Sequence, residues 1–349
     1  MNYSDPILIY GAGVLGREIL TYLRGNNTPP AGFVDQRATE LLNVEGIPVY
    51  SLATAHDQFK QAKVRVVIAI HNFQVPVSKV HGDLTEAGFS HIETLWQFCQ
   101  SEKWLPDEPY WLAPHHDWRS LQPRINDAYN LLDDEESRKL FAELIVLRTH
   151  GDYLGLSGPD PETQYDVPEL PDYSQPIRLI DCGAYDGDTI RSLLEKGNTI
   201  GDVIAFEPDQ DNFKKLKSYL KTLNYGSAVN SGTFDRNGEI RFSGTGSGAS
   251  HIDQSGDVVI STQKIDEVCA DFSPNLIKMD VEGAEAASIR GAVNIIRSCR
   301  PALAISIYHK PEDLWDLILM VHQLDLNYQL YIRTHGQNGF DTVLYALPT

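Results

Sequence analysis

The sequence predicts an α/β protein of two successive domains, a smaller βαβ domain followed by a seven-stranded, doubly wound one. Three observations carry this. Short β-branched runs alternate with helical stretches over residues 1–100 and again from 177 to the end. In both series the first strand runs into a glycine-rich turn and then a helix. The length, 349 residues, exceeds the roughly 100–200 of one domain, and 42% hydrophobic with 22% charged residues is the balance of a soluble globular chain.

Taken in order, strands are expected over 7–10, 32–35, 64–70 and 91–95, with helices over 15–24 and 77–87. The first turn reads Gly11-Ala12-Gly13-Val14-Leu15-Gly16, and Asp35 follows 19 residues after Gly16 at the end of the next strand. Glycines at this spacing admit a phosphate to the backbone, and an acid at that distance can grip a ribose. With the runs 32–35, 46–50 and 66–70, these residues resemble the small Rossmann-like domain at the front of some nucleotide-sugar-modifying enzymes. Two readings stand side by side: a nucleotide sugar or NAD over Gly11, Gly13 and Gly16 with Asp35 on a ribose, or a packing module with an empty crevice.

Residues 101–176 read as a helical and aromatic connector. Tryptophans and prolines surround one expected helix, 133–150, where Leu140, Leu144 and Leu147 recur at helical spacing and acids at 133–136 face the positive end of the dipole. Residues 158–176, with several prolines and acids, should be extended surface chain.

The second series, the domain 177–349, carries strands over 178–183, 202–207, 227–234, 239–243, 276–281 and 302–309, then an antiparallel pair, 328–334 and 342–347. Helices are expected over 189–196, 212–223, 284–297 and 311–324. The first strand enters Asp181-Cys182-Gly183-Ala184-Tyr185-Asp186-Gly187-Asp188-Thr189, and the second ends at Glu207, 24 residues beyond Gly183, where a carboxylate can hold a ribose diol. A turn bearing Asp181, Asp186 and Asp188 is too acidic to cradle a pyrophosphate. It suits a ligand carrying an ammonium and a sulfonium, which favours S-adenosylmethionine over NAD.

Further on, Lys278-Met279-Asp280-Val281-Glu282 places Lys278, Asp280 and Glu282 on one face by period-two alternation. A central strand should be apolar on both faces, so three charges need either mutual pairing or a pocket. Asp280, Glu282 and Glu285 are also hard oxygen donors of the kind a divalent cation takes, and metal dependence stays open at this stage.

Together, residues 181–189, Phe206-Glu207-Pro208, Lys264-Ile265-Asp266, residues 278–285 with Gly291, and the run 306–315 resemble the FkbM family of S-adenosylmethionine-dependent methyltransferases. The resemblance runs from about Pro176 to the C-terminus. Asp134-Glu135-Glu136-Ser137-Arg138 and Gln164-Tyr165 resemble a lead-in found in some members, whereas Lys264 stands where the family more often has a small hydroxylated residue. The resemblance implies a class I methyltransferase fold and O-methylation of a sugar, glycolipid or polyketide hydroxyl.

The resulting expectations place Asp181, Gly183, Tyr185 and Gly187 around the methionine moiety, Thr189 at the helix start and Glu207 on the ribose. Asp280 and His309 would face the acceptor with Lys278 and Glu282 as supporting charges. His309 is the better base on pKa grounds, since imidazole titrates near pH ~6.5. The competing reading of His309 is a contact at a helix N-terminus opened by Lys310-Pro311-Glu312-Asp313. The stretch 244–250, rich in glycine and serine, is either a plain hairpin loop or a cover over the acceptor site.

Charge and composition limit the partners. The chain has 29 Lys+Arg against 48 Asp+Glu, a net charge of −19, and no basic cluster or Asn-Pro-Pro-Tyr type motif, which disfavours nucleic acid and anionic membranes. No apolar run reaches the roughly 18 residues a membrane helix needs, and the first strand begins too early for a signal peptide, so the cytoplasm is expected. Cys99, Cys182, Cys269 and Cys299 lie too far apart for a CxxC site and read as reduced thiols. The expected partner is a small-molecule or glycan acceptor. The runner-up function is a sugar-modifying enzyme, dependent on NAD or a nucleotide sugar, with its chemistry in the first domain.

Overall fold

Two parallel-rich sheets organise the chain, and each has a glycine turn at the end of its first strand in sequence. The computed structural model describes residues 5–113, 116–170, 175–244, 250–252 and 258–349. They form two compact units, one from Met1–Trp118, Glu143–Gly158 and Gly336–Phe340, the other from Arg119–Ala142, Pro159–His335 and Asp341–Thr349.

In the first unit the strands lie in the order Asn43–Val44, Ile47–Tyr50, Gly32–Val34, Ile7–Tyr10, Arg65–Ile68, His91–Glu93. All pairs are parallel except the outermost, between Asn43–Val44 and Ile47–Tyr50. The chain steps outward on one side of Ile7–Tyr10 and then on the other, which opens a crevice above that strand's carboxyl end. Helix Val14–Gly25 packs Ile19, Leu20 and Leu23 onto Ile9, Phe33 and Val67. Full burial of each such side chain is worth about 1.5–3 kcal/mol. Gly16 has to be glycine, since a Cβ there would stand 2.0 Å from Gly11 O.

The expected strand 91–95 stops at Glu93, because Thr94 and Gln97 form a capping box that starts helix Leu95–Glu102. Helix Val77–Glu86 follows Pro76, which offers no side-chain cap. Asn338 supplies it from far along the sequence: its Oδ1 accepts the Val77 N–H at 2.9 Å, and its Nδ2 donates to the carbonyls of Asn72 and Val75.

The second unit contains a seven-stranded sheet in the order Tyr328–Thr334, Thr342–Pro348, Ala302–Ser306, Leu276–Met279, Ile177–Cys182, Ile200–Phe206, Ser227–Val229. The five strands from Ala302–Ser306 to Ser227–Val229 pair in parallel and the last two strands in sequence pair antiparallel, as expected of a doubly wound sheet closed by a hairpin. Ile177, Leu179, Leu276, Ala302, Ala304 and Tyr345 are fully or almost fully buried at its centre.

Three expectations need correction. The strand 227–234 divides at 230–231, with Gly232–Thr233 joining a separate four-stranded sheet with Gly238–Gly244, Ser250–Ile252 and Val258–Gln263. Asn230 marks the break, donating its side-chain N–H to Glu207 O and Pro208 O. Helix 284–297 is two helices, Glu285–Gly291 and Val293–Cys299, separated by Ala292 at φ −120°. The connector holds two helices rather than one: Trp118–Asn130 precedes Glu135–His150, and it was hidden because Ile125 and Ala128 alone are buried in a stretch that also contains Pro123. Of the glycine- and serine-rich stretch, residues 245–249 lie outside the described residues. The cysteines are free thiols, with Cys99, Cys182 and Cys269 buried. Among the described residues no helix is long and apolar enough to cross a membrane.

Candidate active site

The carboxyl ends of the central strands in the second unit gather most of the chemically distinctive residues. Strand Ile177–Cys182 delivers Asp181 and then turns through Gly183, φ +77°, into Tyr185, φ +47°, and Gly187, φ +92°, before helix Asp188–Glu195 begins. A Cβ on Gly183 would stand 1.9 Å from Asp280 O, so the turn can lie against the next strand's end only as glycine. Both Gly183 and Ala184 donate their N–H to Phe206 O, tying the turn to the neighbouring strand.

Glu207 stands at the end of that neighbour, almost fully buried. Its Oε2 accepts the Tyr185 N–H at 2.9 Å and its Oε1 the Asp209 N–H at 2.8 Å. Burial pushes its carboxyl up to about 7, although the two N–H donors pull the other way. The Tyr185 ring is exposed, while Thr189 is buried in the first turn of the helix. Asp186 is paired with Arg191.

Lys278 occupies a place other than the one expected. Strand Leu276–Met279 ends before Asp280, so the period-two alternation does not carry on to Glu282, which sits at φ +53° in the following turn. The Lys278 ammonium turns toward the glycine loop, 3.1 Å from Asp181 Oδ1, and donates to Gly183 O at 2.5 Å. Burial would pull it down, but Asp181, Asp280 and Asp188 outweigh that and hold its pKa raised. Asp181 is fully buried and its carboxyl stands at about 6, raised by burial against the pull of Lys278. The Asp181–Lys278 contact is an ion pair off the hydrogen-bonding angle, and neither Asp181 oxygen accepts a hydrogen bond among the described residues.

The second half of the site forms around His309, which follows strand Ala302–Ser306. Its Nδ1 lies 2.8 Å from Glu285 Oε1, and its Nε2 is 3.4 Å from both Asp280 Oδ1 and Glu282 Oε2. Glu285 is fully buried, and its Oε1 also accepts the Val281 N–H. Burial would lower the imidazole, yet Glu285, Glu282 and Asp280 reverse this and hold it at about 10. His309 is therefore an imidazolium at neutral pH, and the expectation of a neutral base fails because three carboxylates surround the ring. The following helix is Asp313–His322; Asp313 Oδ2 accepts the Lys310 N–H, and the Asp313 carboxyl also feels the His309 charge.

Donor atoms of Asp280, Glu285 and His309 lie within 4.8 Å of one another, close enough to share a cation. Sequence reasoning missed three members of this cluster. The Tyr165 hydroxyl donates to Asp280 Oδ2 at 3.3 Å. Tyr308 is hydrogen-bonded to Asp341, whose carboxyl is raised to about 6 by burial and by Asp280.

In the first unit, Gly11, Gly13 and Gly16 form the expected strand–turn–helix. Asp35, however, is already engaged: its Oδ2 accepts the Ala12 N–H at 2.8 Å and its carboxylate is forked by Arg37. Although burial opposes it, these bonds hold the carboxyl down at about 2.

Residues 181–330 match the family described as the methyltransferase FkbM domain. Among solved structures, a methyltransferase FkbM from Methylobacillus flagellatus KT is 22% identical, with 98% of this chain and 90% of that chain covered at a TM-score of 0.79. That likeness shows a shared fold. Fibrillarin from Aeropyrum pernix, with S-adenosyl-L-methionine natively bound, is 10% identical over 52% of this chain and 70% of its own, at a TM-score of 0.33. A precorrin-6y C5,15-methyltransferase from Geobacter metallireducens GS-15 is 11% identical over 50% and 81%, at 0.30. Similarity this distant adds nothing to the argument. No curated protein matches the sequence. The match over residues 181–330 to the methyltransferase FkbM domain supports an S-adenosylmethionine-dependent methyltransferase.

Proposed function

We propose that the chain O-methylates a hydroxyl of a sugar, glycolipid or related small molecule, with Asp280 as the proton acceptor. The observation that carries this is the state of Asp280 Oδ1. It accepts no hydrogen bond among the described residues, lies 3.4 Å from the His309 imidazolium, and belongs to a residue whose backbone touches the Gly183 turn. Asp280, Glu282, Asp341, Tyr165 and Tyr308 give this region the alternating donors and acceptors that polyhydroxylated ligands require.

The glycine turn fits the cofactor. Both Asp181 oxygens are buried and accept no hydrogen bond among the described residues, and the absence of a Cβ on Gly183 lets the turn lie against Asp280 O. Asp181, Gly183, Tyr185, Gly187 and Thr189 would hold the methionine part, and Glu207 the ribose. When bound, S-adenosylmethionine supplies a methyl group activated by its sulfonium. The protein has to align an alcohol oxygen and remove its proton. The proton passes from the acceptor O–H to the Asp280 carboxylate as the oxygen bonds to the methyl carbon and the carbon–sulfur bond breaks. His309 is bound to Glu285 through Nδ1 and stands 3.4 Å from Asp280 Oδ1 through Nε2.

A nucleotide sugar or NAD in the first unit is not part of this reading, because Arg37 and the Ala12 N–H already occupy Asp35. A net charge of −19 favours a small-molecule acceptor over nucleic acid. The test is radiolabelled methyl transfer to a panel of sugars and glycolipids with the wild type and Asp280→Asn. Asp280→Asn should bind S-adenosylhomocysteine normally and lose about 10²–10⁴-fold in turnover. Retained turnover would return Asp280 to a structural role.

A further inference from the structure

Resting on that reading, one more side chain acts on Asp280. Tyr165 is almost fully buried, donates its hydroxyl to Asp280 Oδ2, and sits in the left-handed region at φ 61°. A residue other than glycine keeps that conformation when its surroundings impose it. Here the surroundings form a chain of matched hydrogen bonds. His335 Nδ1 is 2.6 Å from Asp160 O, and since a carbonyl can only accept, that nitrogen carries the proton. Burial lowers the His335 pKa and favours the neutral ring, in which Nε2, 2.8 Å away from the Tyr345 hydroxyl, accepts from it. The Tyr345 oxygen in turn accepts the Tyr165 N–H at 3.0 Å. Tyr345 is fully buried on strand Thr342–Pro348, so the brace is anchored in the sheet itself.

We propose that Tyr165 is a positioning residue for methyl transfer, held by the His335–Tyr345 brace so that its hydroxyl fixes Asp280 Oδ2 while Oδ1 stays buried against His309, which sets the carboxylate at one angle to the acceptor. An aspartate free to rotate would present either oxygen, and in-line transfer depends on holding the acceptor oxygen at a fixed angle. The ring has a separate task beneath Lys278, whose Nζ lies 5.7 Å from its centroid. A phenylalanine there would keep that contact and the backbone bond while removing the hydroxyl alone.

The experiment compares wild type, Tyr165→Phe, Tyr345→Phe and the double variant. Tyr165→Phe should lose at least about 10-fold in kcat, with unchanged KM for S-adenosylmethionine and an unchanged melting temperature. Tyr345→Phe should lose a similar factor, and the double variant no more than the larger single loss, because both act through one chain. Turnover of Tyr165→Phe within twofold of wild type would overturn the proposal. Amide hydrogen exchange at Tyr165 supplies a readout that needs no acceptor. Tyr345→Phe should speed that exchange at least tenfold, and unchanged protection would refute the brace. Were wild type to methylate no sugar while binding S-adenosylhomocysteine, the acceptor assignment would fall and the exchange result would still decide the brace.

Discussion

His309 Nδ1 and Glu285 Oε1 meet at 2.8 Å, and both side chains are buried. This pair fixes the protonation state of the site. The imidazole is held at about 10 against an ordinary 6.5, so the folded state gains most from it below pH 6.5 and loses that gain as pH rises through about 10. Thermal unfolding followed from about pH 7 to about pH 10 should show a falling midpoint. Glu285→Gln, which keeps an acceptor for the Val281 N–H, should flatten that slope and cost about 3–5 kcal/mol at neutral pH. A wild-type midpoint independent of pH would mean that His309 is neutral.

Glu207 also makes stability fall with rising pH, but over a lower interval. Its carboxyl lies at about 7 against 4.5 unfolded, so it subtracts stability from the free protein as pH rises through that interval. Its ionised form is the better acceptor for ribose hydroxyls. Affinity for S-adenosylhomocysteine should therefore increase up to about tenfold as pH is raised through about 7, and calorimetry should find Glu207→Gln both weaker and flat. A wild-type affinity that does not change with pH would remove Glu207 from the ribose.

Lys278 and Asp181 form a buried pair in which the carboxylate has no other hydrogen-bond donor. Lys278→Met should cost about 3–5 kcal/mol in urea unfolding, because it strands a charge rather than because it removes an attraction. Combining it with Asp181→Leu should restore most of the stability without restoring binding of S-adenosylhomocysteine. Equal destabilisation by the single and double variants would mean that packing, not charge, sets the cost.

The parts of this site that could be read from sequence are those built from local chemistry. Gly183 and Glu207 announce themselves through strand–turn–helix spacing, and the strand alternation of the second unit follows from periodicity. Tyr165 gave no such signal, because it reaches Asp280 from 115 positions earlier along a stretch with no regular pattern. His309 was found, but its charge was misjudged, since an imidazole's pKa is set by neighbours that only the fold brings together. Alternation placed Lys278 on a face but could not name its partner, Asp181. The four-stranded sheet escaped notice because Ser250–Ile252 has only three residues and Val258–Gln263 lies beside a glycine-rich segment.

The cap that Asn338 places on helix Val77–Glu86 joins residues 261 positions apart inside one unit. That separation sets a schedule for synthesis. A nascent chain that has exposed Met1–Trp118 holds both glycine turn and sheet, but the first N–H of that helix lacks its Asn338 acceptor until residue 338 has left the ribosome. The first unit is therefore completed only after Pro159–His335 of the second has been translated.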